Sequence, residues 1–311
     1  MRLPTARVIE FWRAASDSDV FYSFRRSKLV MLSAAITLLF FIAAFGASFL
    51  APHNPFDLAS LNLSDAFKPP AWVEGGDPAF LLGTDDQGRD ILSTIMYGSR
   101  TSLSVGFAAV IFAMVLGIAL GLVAGYVGGA VDAFIMRVAD VQLSFPAILI
   151  AMLIDGVTRG LMGADRHNES ALLVLIISIG LSYWVQYART VRGSVLVEKN
   201  KEYVQAARVI GLPAPLIAIR HVLPNVMGPV LVIATINLAL AVITEATLSF
   251  LGVGLPPTQP SLGTLINVGQ QFLFSGEWWI TIFPGAALAI LVLSVNLLGD
   301  WLRDALNPKL R

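Results

Sequence analysis

The chain has 311 residues, of which 56% are hydrophobic and 14% charged, with 21 basic and 21 acidic side chains. Soluble domains carry about 25% charged residues, so this composition, with a mean hydropathy of +0.74, excludes a soluble enzyme. The absence of cysteine excludes disulfides, thiolate metal sites and thiol catalysis, and the balanced charge gives no basis for a nucleic-acid partner.

Residues 1–28 are polar and basic, with Arg25, Arg26 and Lys28 before the first apolar run. That run lacks a small-residue cleavage pattern and reads as a retained anchor. A hydrocarbon core of about 30 Å needs about 20 mostly apolar residues per helix. Six stretches qualify: Leu29–Ala51, Leu103–Gly125, Val138–Gly156, Leu172–Ala188, Pro229–Leu251 and Ile280–Gly299. Gly106, Gly117, Gly121 and Gly125 dot the second, where small residues let helices approach closely. The third contains Pro146, which spans tolerate where neighbours re-satisfy the backbone.

Orientation follows from Lys and Arg. With the N-terminus inside, sixteen of the 21 basic residues fall on inner segments, leaving Lys68, Arg89, Arg100, Arg159 and Arg166 outside. The expected fold is an all-α polytopic membrane protein of six transmembrane helices with both termini cytoplasmic. Its segments are 1–28 (cytoplasmic), 29–51 (first span), 52–102 (extracytoplasmic loop), 103–299 (five-helix core, with a cytoplasmic loop at 189–228) and 300–311 (cytoplasmic tail).

The outer loop is rich in turn formers and ends in Gly83-Thr84-Asp85-Asp86-Gln87-Gly88-Arg89-Asp90. Ile91, Leu92, Ile95 and Met96 follow at helical spacing, predicting a short amphipathic helix at the membrane surface. The Asp85, Asp86, Asp90 cluster lacks the alternating spacing and terminal glutamate of an EF-hand loop, so a turn with helix capping is expected. His53, His167 and His221 are scattered and offer no metal site.

In the inner loop, residues 202–211 read as a helix stopped by Gly211. Val204, Ala207 and Ile210 fall on one side, with Tyr203 and Ala206 beside them. Pro213 and Pro215 suit the first turn of a second short helix, ending near Pro224. Two short helices held between spans form a rigid knob able to transmit force.

This stretch resembles the cytoplasmic signature loop of ATP-binding-cassette importer permeases. Gln205-Ala206-Ala207 occupies the Glu-Ala-Ala triplet, Gly211 the glycine and Leu223-Pro224 the end. Gln205 replaces the glutamate and His221 stands where the pattern has isoleucine. Over nearly the whole chain, Gly83–Asp90, Tyr97-Gly98-Ser99-Arg100, Met136–Asp140 with Pro146, Glu245–Gly252, Pro256-Pro257 and Gly299–Asp304 resemble the dipeptide/oligopeptide/nickel permease family, C-type subunit. Asn307 stands where relatives often show Asp before Pro308.

The resemblance implies a heterodimer with a paralogous permease, two ATPase subunits on the inner face and an extracytoplasmic solute-binding protein, all set in the lipid bilayer. The ATPase-coupling residues it implies are Glu202, Tyr203, Gln205, Ala206, Ala207, Gly211, Leu223 and Pro224. The chain itself is expected to bind no cofactor. ATP and Mg belong to the ATPases, since no Gly-Lys dipeptide exists to form a Walker A loop. Peptide is the expected solute, with nickel, opine or glutathione as alternatives; a secondary transporter or a membrane scaffold is the reading from another class.

Glu245 lies within the fifth span, where a charge is costly and is paired or faces a cavity. It reads as lining the translocation path or, preferably, as hydrogen-bonded within its own bundle. Asp140 is expected to pair with Arg137.

Overall fold

A computed structural model describes residues 19–57, 61–162, 164–256 and 259–306. The expectations for residues 1–18, Pro257 and residues 307–311 lie outside the described residues, as do those for the side chains of Arg166 and His167.

In chain order, α1 (Asp19–Arg26) leads through Ser27 into α2 (Lys28–Phe45), whose first turn is capped by the Ser27 hydroxyl accepting from Val30 N–H. A short α3 (Ala47–Leu50) follows, then a long loop. The bundle continues with α4 (Ile91–Val127), α5 (Gly129–Leu143), α6 (Ala147–Met162) and α7 (Ala164–Glu198). Next come α8 (Glu202–Val209), α9 (Ala214–Ile217), a π-helical turn at Ala218–Val222 and α10 (Leu223–Phe250). The last elements are α11 (Leu262–Gln270) and α12 (Trp279–Leu306). Five stretches are long and apolar enough to cross a membrane, and six if α5 and α6 together count as one.

Several sequence-based boundaries need correction. The expected third span, Val138–Gly156, is two helices bent by 94°. Pro146 has no N–H to donate and disfavours helical backbone at Phe145, so the break falls there. The short amphipathic helix after Asp90 is not separate: Ile91 opens α4 and runs straight into the span. Helix α7 passes Ala188 and continues to Glu198, because Arg189 and Arg192 find partners on α5. Arg189 pairs with Asp140, and Arg192 holds Asp132 with Nη2 2.6 Å from Oδ2. Asp140 therefore bonds across to α7 rather than to Arg137. Residues 300–306 extend α12 instead of forming a tail.

The second knob helix does not end near Pro224. Residues Ala214–Phe250 form one continuous helical stretch. The π turn before Pro224 absorbs the missing donor, and the Asn225 side chain supplies a bond to His221 O at 2.7 Å.

Helices α4 and α7 pack closely along several turns. A Cβ at Gly117 would lie 2.4 Å from Tyr187 Cβ, and one at Gly121 would lie 2.5 Å from Ala188 O. Glycine lets the two backbones meet where any side chain would force them apart. Helix α7 also meets α10 through Tyr183 and Thr244, whose hydroxyls are 2.8 Å apart.

The loop before α4 is fixed by the aspartates at its end. Asp85 accepts from the N–H groups of Gln87 and Arg89, each at 2.9 Å, and from Arg89 Nε at 2.6 Å. Asp90 caps α4, accepting from Ser93 N–H at 2.9 Å. Trp279 Nε1, at the start of α12, donates to Thr84 O at 3.0 Å, tying the loop to the bundle.

Candidate functional site

The knob begins where α7 ends. Glu202 places a negative charge in the first turn of α8, which favours the helix through its dipole. At the other end Gly211 adopts φ +81°, a left-handed conformation that strains any other residue. Gly211 N–H donates to Arg208 O at 3.0 Å and Leu212 N–H to Ala207 O at 3.2 Å. This pair of bonds is a Schellman closure, and it reverses the chain within two residues. Pro213, at φ −65°, then precedes α9.

The inward side of the knob joins the main core. Val204, Ala207, Ile217 and Val222 are buried together with Val191 and Val195 of α7 and Val226 of α10. The outward side is apolar yet exposed: Val209 is 87% accessible, Ile210 74% and Ile219 59%. Ile210 therefore does not share a side with Val204 and Ala207, contrary to the expectation from helical spacing. It lies past the last turn of α8, where helical periodicity no longer governs its direction.

A polar brace holds the root. Glu198 Oε1 accepts from Tyr203 Oη at 2.8 Å and from Lys201 Nζ at 3.0 Å. Asn225 Nδ2 donates to Tyr203 Oη at 3.2 Å. Loss of hydration, and then the bond to Glu198, push the Tyr203 phenol up to about 12, so it remains a neutral donor at every physiological pH. Lys199 Nζ donates to Gly125 O at 2.7 Å, and the Arg208 guanidinium lies 5.7 Å from the Tyr126 ring centroid. Both contacts fasten the knob to the end of α4.

Of the sequence-derived site residues, Glu202, Gln205, Ala206 and Gly211 lie on the exposed surface of the knob, and Ala207 is in its core. Tyr203 is the brace, and Leu223 and Pro224 open α10. Glu245 is elsewhere: it is fully buried near the far end of α10 and accepts from Ser249 Oγ at 2.8 Å. Ser102 of α4 and Ser261 before α11 lie near its carboxyl, while Oε2 is shielded and has no hydrogen-bond partner among the described residues.

Sequence reasoning did not single out Glu198 or Asn225. Glu198 is an acid at the end of an apolar run, just before Lys199 and Lys201, a signal that could have drawn attention to it. Asp155, also passed over, is buried on α6 with Arg159 Nη2 3.5 Å away.

Residues 117–311 match the family profile described as binding-protein-dependent transport system inner membrane component. Residues 18–70 match the N-terminal TM domain of oligopeptide transport permease C. The dipeptide transport system permease protein DppC of Escherichia coli strain K12 is 41% identical over 311 residues, covering 99% of this chain and 95% of that protein. DppC of Haemophilus influenzae is 38% identical over 309 residues, covering 99% and 97%. The di/tripeptide transport system permease protein DppC of Pseudomonas aeruginosa is 35% identical over 307 residues, covering 97% and 92%. A chain of the MetNI methionine ABC transporter in an inward-facing conformation has the same fold, with TM-score 0.53 and 21% identity, covering 69% of this chain and 96% of that one. The chain belongs to the family of binding-protein-dependent transport system inner membrane components, as an ABC importer permease of the DppC/OppC type.

Proposed function

We propose that the chain is one of two paralogous permease subunits in an ATP-driven importer of di- and oligopeptides, in the inner membrane of a bacterium. Two ATPase subunits engage the inner face, and an extracytoplasmic solute-binding protein delivers the peptide. The chain spans the membrane six times, counting α5 and α6 as one, with both termini and the knob in the cytoplasm. ATP and Mg bind to the ATPases alone.

The observation that carries this reading is the division of the knob into a root embedded in the bundle core and a bare apolar crown of Val209, Ile210 and Ile219. Such a crown is costly in water and suits a hydrophobic groove on a partner. When ATP draws the ATPases together, force on the crown passes through the buried root into α7 and α10. The bundle then rocks between inward- and outward-facing states. Glu202, Gln205 and Ala206 line the contact, Gly211 fixes its shape, and Glu245 serves as a polar tie within the bundle.

The chain has no cysteine, so Val209→Cys supplies a unique thiol for testing this. A membrane-impermeant maleimide should label it in inverted vesicles, be excluded when the ATPases are bound, and fail in intact spheroplasts. Labelling from outside intact cells would refute both the sidedness and the coupling role.

A further inference from the structure

A cavity of about 260 Å³ lies where α2, α4, α10 and α12 converge, and nothing in the transport cycle uses it. Its wall is apolar, formed by Phe41, Phe107, Leu238 and Leu298 among others, with Thr37 and Trp301 contributing the groups of interest. Thr37 Oγ1 and Trp301 Nε1 are both shielded from solvent, and neither has a hydrogen-bond partner among the described residues. A buried donor without a partner is costly, and an apolar cavity of this kind stays dry. The missing partner is therefore a molecule with an acceptor at one end and a hydrocarbon body.

The surroundings identify its class. Trp301 is near the end of α12, and Phe24 of α1 packs edge-on against it with ring centroids 5.3 Å apart. Arg26 and Lys28, two and four residues beyond Phe24, are exposed. Tryptophan near the end of a membrane-spanning helix marks the interface, and basic residues beside it attract anionic headgroups. The volume falls below the range of about 300–1,000 Å³ typical of drug-sized sites, which suits one acyl chain rather than a whole lipid.

We infer that this cavity is a binding site for an anionic phospholipid. One acyl chain enters between α2 and α12, its ester carbonyl accepts from Trp301 Nε1, and the headgroup phosphate meets Arg26 and Lys28. The lipid would join the N-terminal helix to the bundle without touching the knob. The inference needs only that the chain spans a membrane, and it stands whatever the solute.

The test uses the assembled transporter in nanodiscs containing phosphatidylglycerol with a photoactivatable diazirine in its acyl chain. Label mapped by mass spectrometry should concentrate at residues 37–41 and 295–302 over the exposed face of α6 around Leu153, and unlabelled phosphatidylglycerol should displace it better than phosphatidylcholine. Trp301→Phe keeps the ring and removes the donor; it should lower phosphatidylglycerol affinity about fivefold, the equivalent of one neutral hydrogen bond. Leu298→Trp should fill the cavity and abolish the focal label, and Trp301→Phe carries the test alone if that variant fails to assemble. Even labelling along every lipid-facing helix, label unchanged in Trp301→Phe, or no label near Trp301 because a partner subunit covers it would each overturn the site.

Discussion

The Tyr203 hydroxyl donates to the Glu198 carboxylate at 2.8 Å while accepting from Asn225 at 3.2 Å. One phenol thus ties the end of α7, the first turn of α8 and the head of α10 into a single unit. The exposed crown is fixed to α7 and α10 through this junction and through the core residues beneath it.

Tyr203→Phe removes both bonds without changing the ring. Hydrogen bonds to charged groups contribute about 1.5–3 kcal/mol, and Lys201 still neutralises Glu198. The expected result is normal insertion, faster amide exchange across residues 199–225 and peptide uptake reduced severalfold. Hydrogen-exchange mass spectrometry alongside uptake assays checks this.

Gly211→Val forces a β-branched residue to φ +81°. The left-handed region costs a non-glycine residue about 1–2 kcal/mol, and more for a branched one. No atom lies within 4 Å of the added Cβ, so the defect is conformational and confined to the reversal. Uptake should fall to background with the ATPases only weakly retained on purification. Gly211→Asn, which tolerates this conformation better, should recover part of both.

Gly121→Val acts in the bundle itself. The new Cβ would sit 2.5 Å from Ala188 O, a backbone atom that cannot swing aside, so α4 and α7 must separate. Overpacking of this kind costs about 1–3 kcal/mol or more. Expected are lower yield and a lower melting temperature in detergent, measured by thermal-shift assay, whereas Gly193→Ala, on α7 but with nothing within 4 Å of its Cβ and an ordinary helical φ, should not lower the melting temperature.

Asp86 gives a pH prediction. Burial, and then the charge of Asp85, raise its pKa above the ordinary 3.8, with Arg89 opposing. A raised folded pKa means that the native state holds the proton more tightly than the unfolded chain. Stability from this group is therefore full below about pH 4 and declines as the pH rises through the folded value. Asp86→Asn should raise the melting temperature slightly at pH 7, with the gain vanishing as the pH falls toward 4. Melting curves across that range decide it.

The apolar runs made the helical membrane fold legible, because length and hydropathy alone decide whether a helix can span. The turn chemistry of Asp85, Asp90 and Gly211 was equally legible, since each acts on backbone within a few residues. What the sequence hid depends on distant partners. Helix α7 outruns its apolar band because Asp132 and Asp140 on α5 neutralise its arginines, a relationship no local pattern reveals. Pro146 and Pro224 look alike in sequence, yet one coincides with a 94° bend and the other sits in a continuous helix after a π turn. Ile210 was placed on the side of Val204 and Ala207 by extending helical spacing one residue past the point where the helix stops.

The uninterrupted stretch Ala214–Phe250 carries the knob's second half at one extremity and the Glu245 carboxyl near the other. At 1.5 Å per residue such a rod is about 55 Å long, and a tilt of about 5° around its midpoint displaces each tip by about 2 Å in opposite directions. A displacement of the end around Ala214 is thereby carried to the end around Glu245 with its sense reversed, within a single piece of secondary structure.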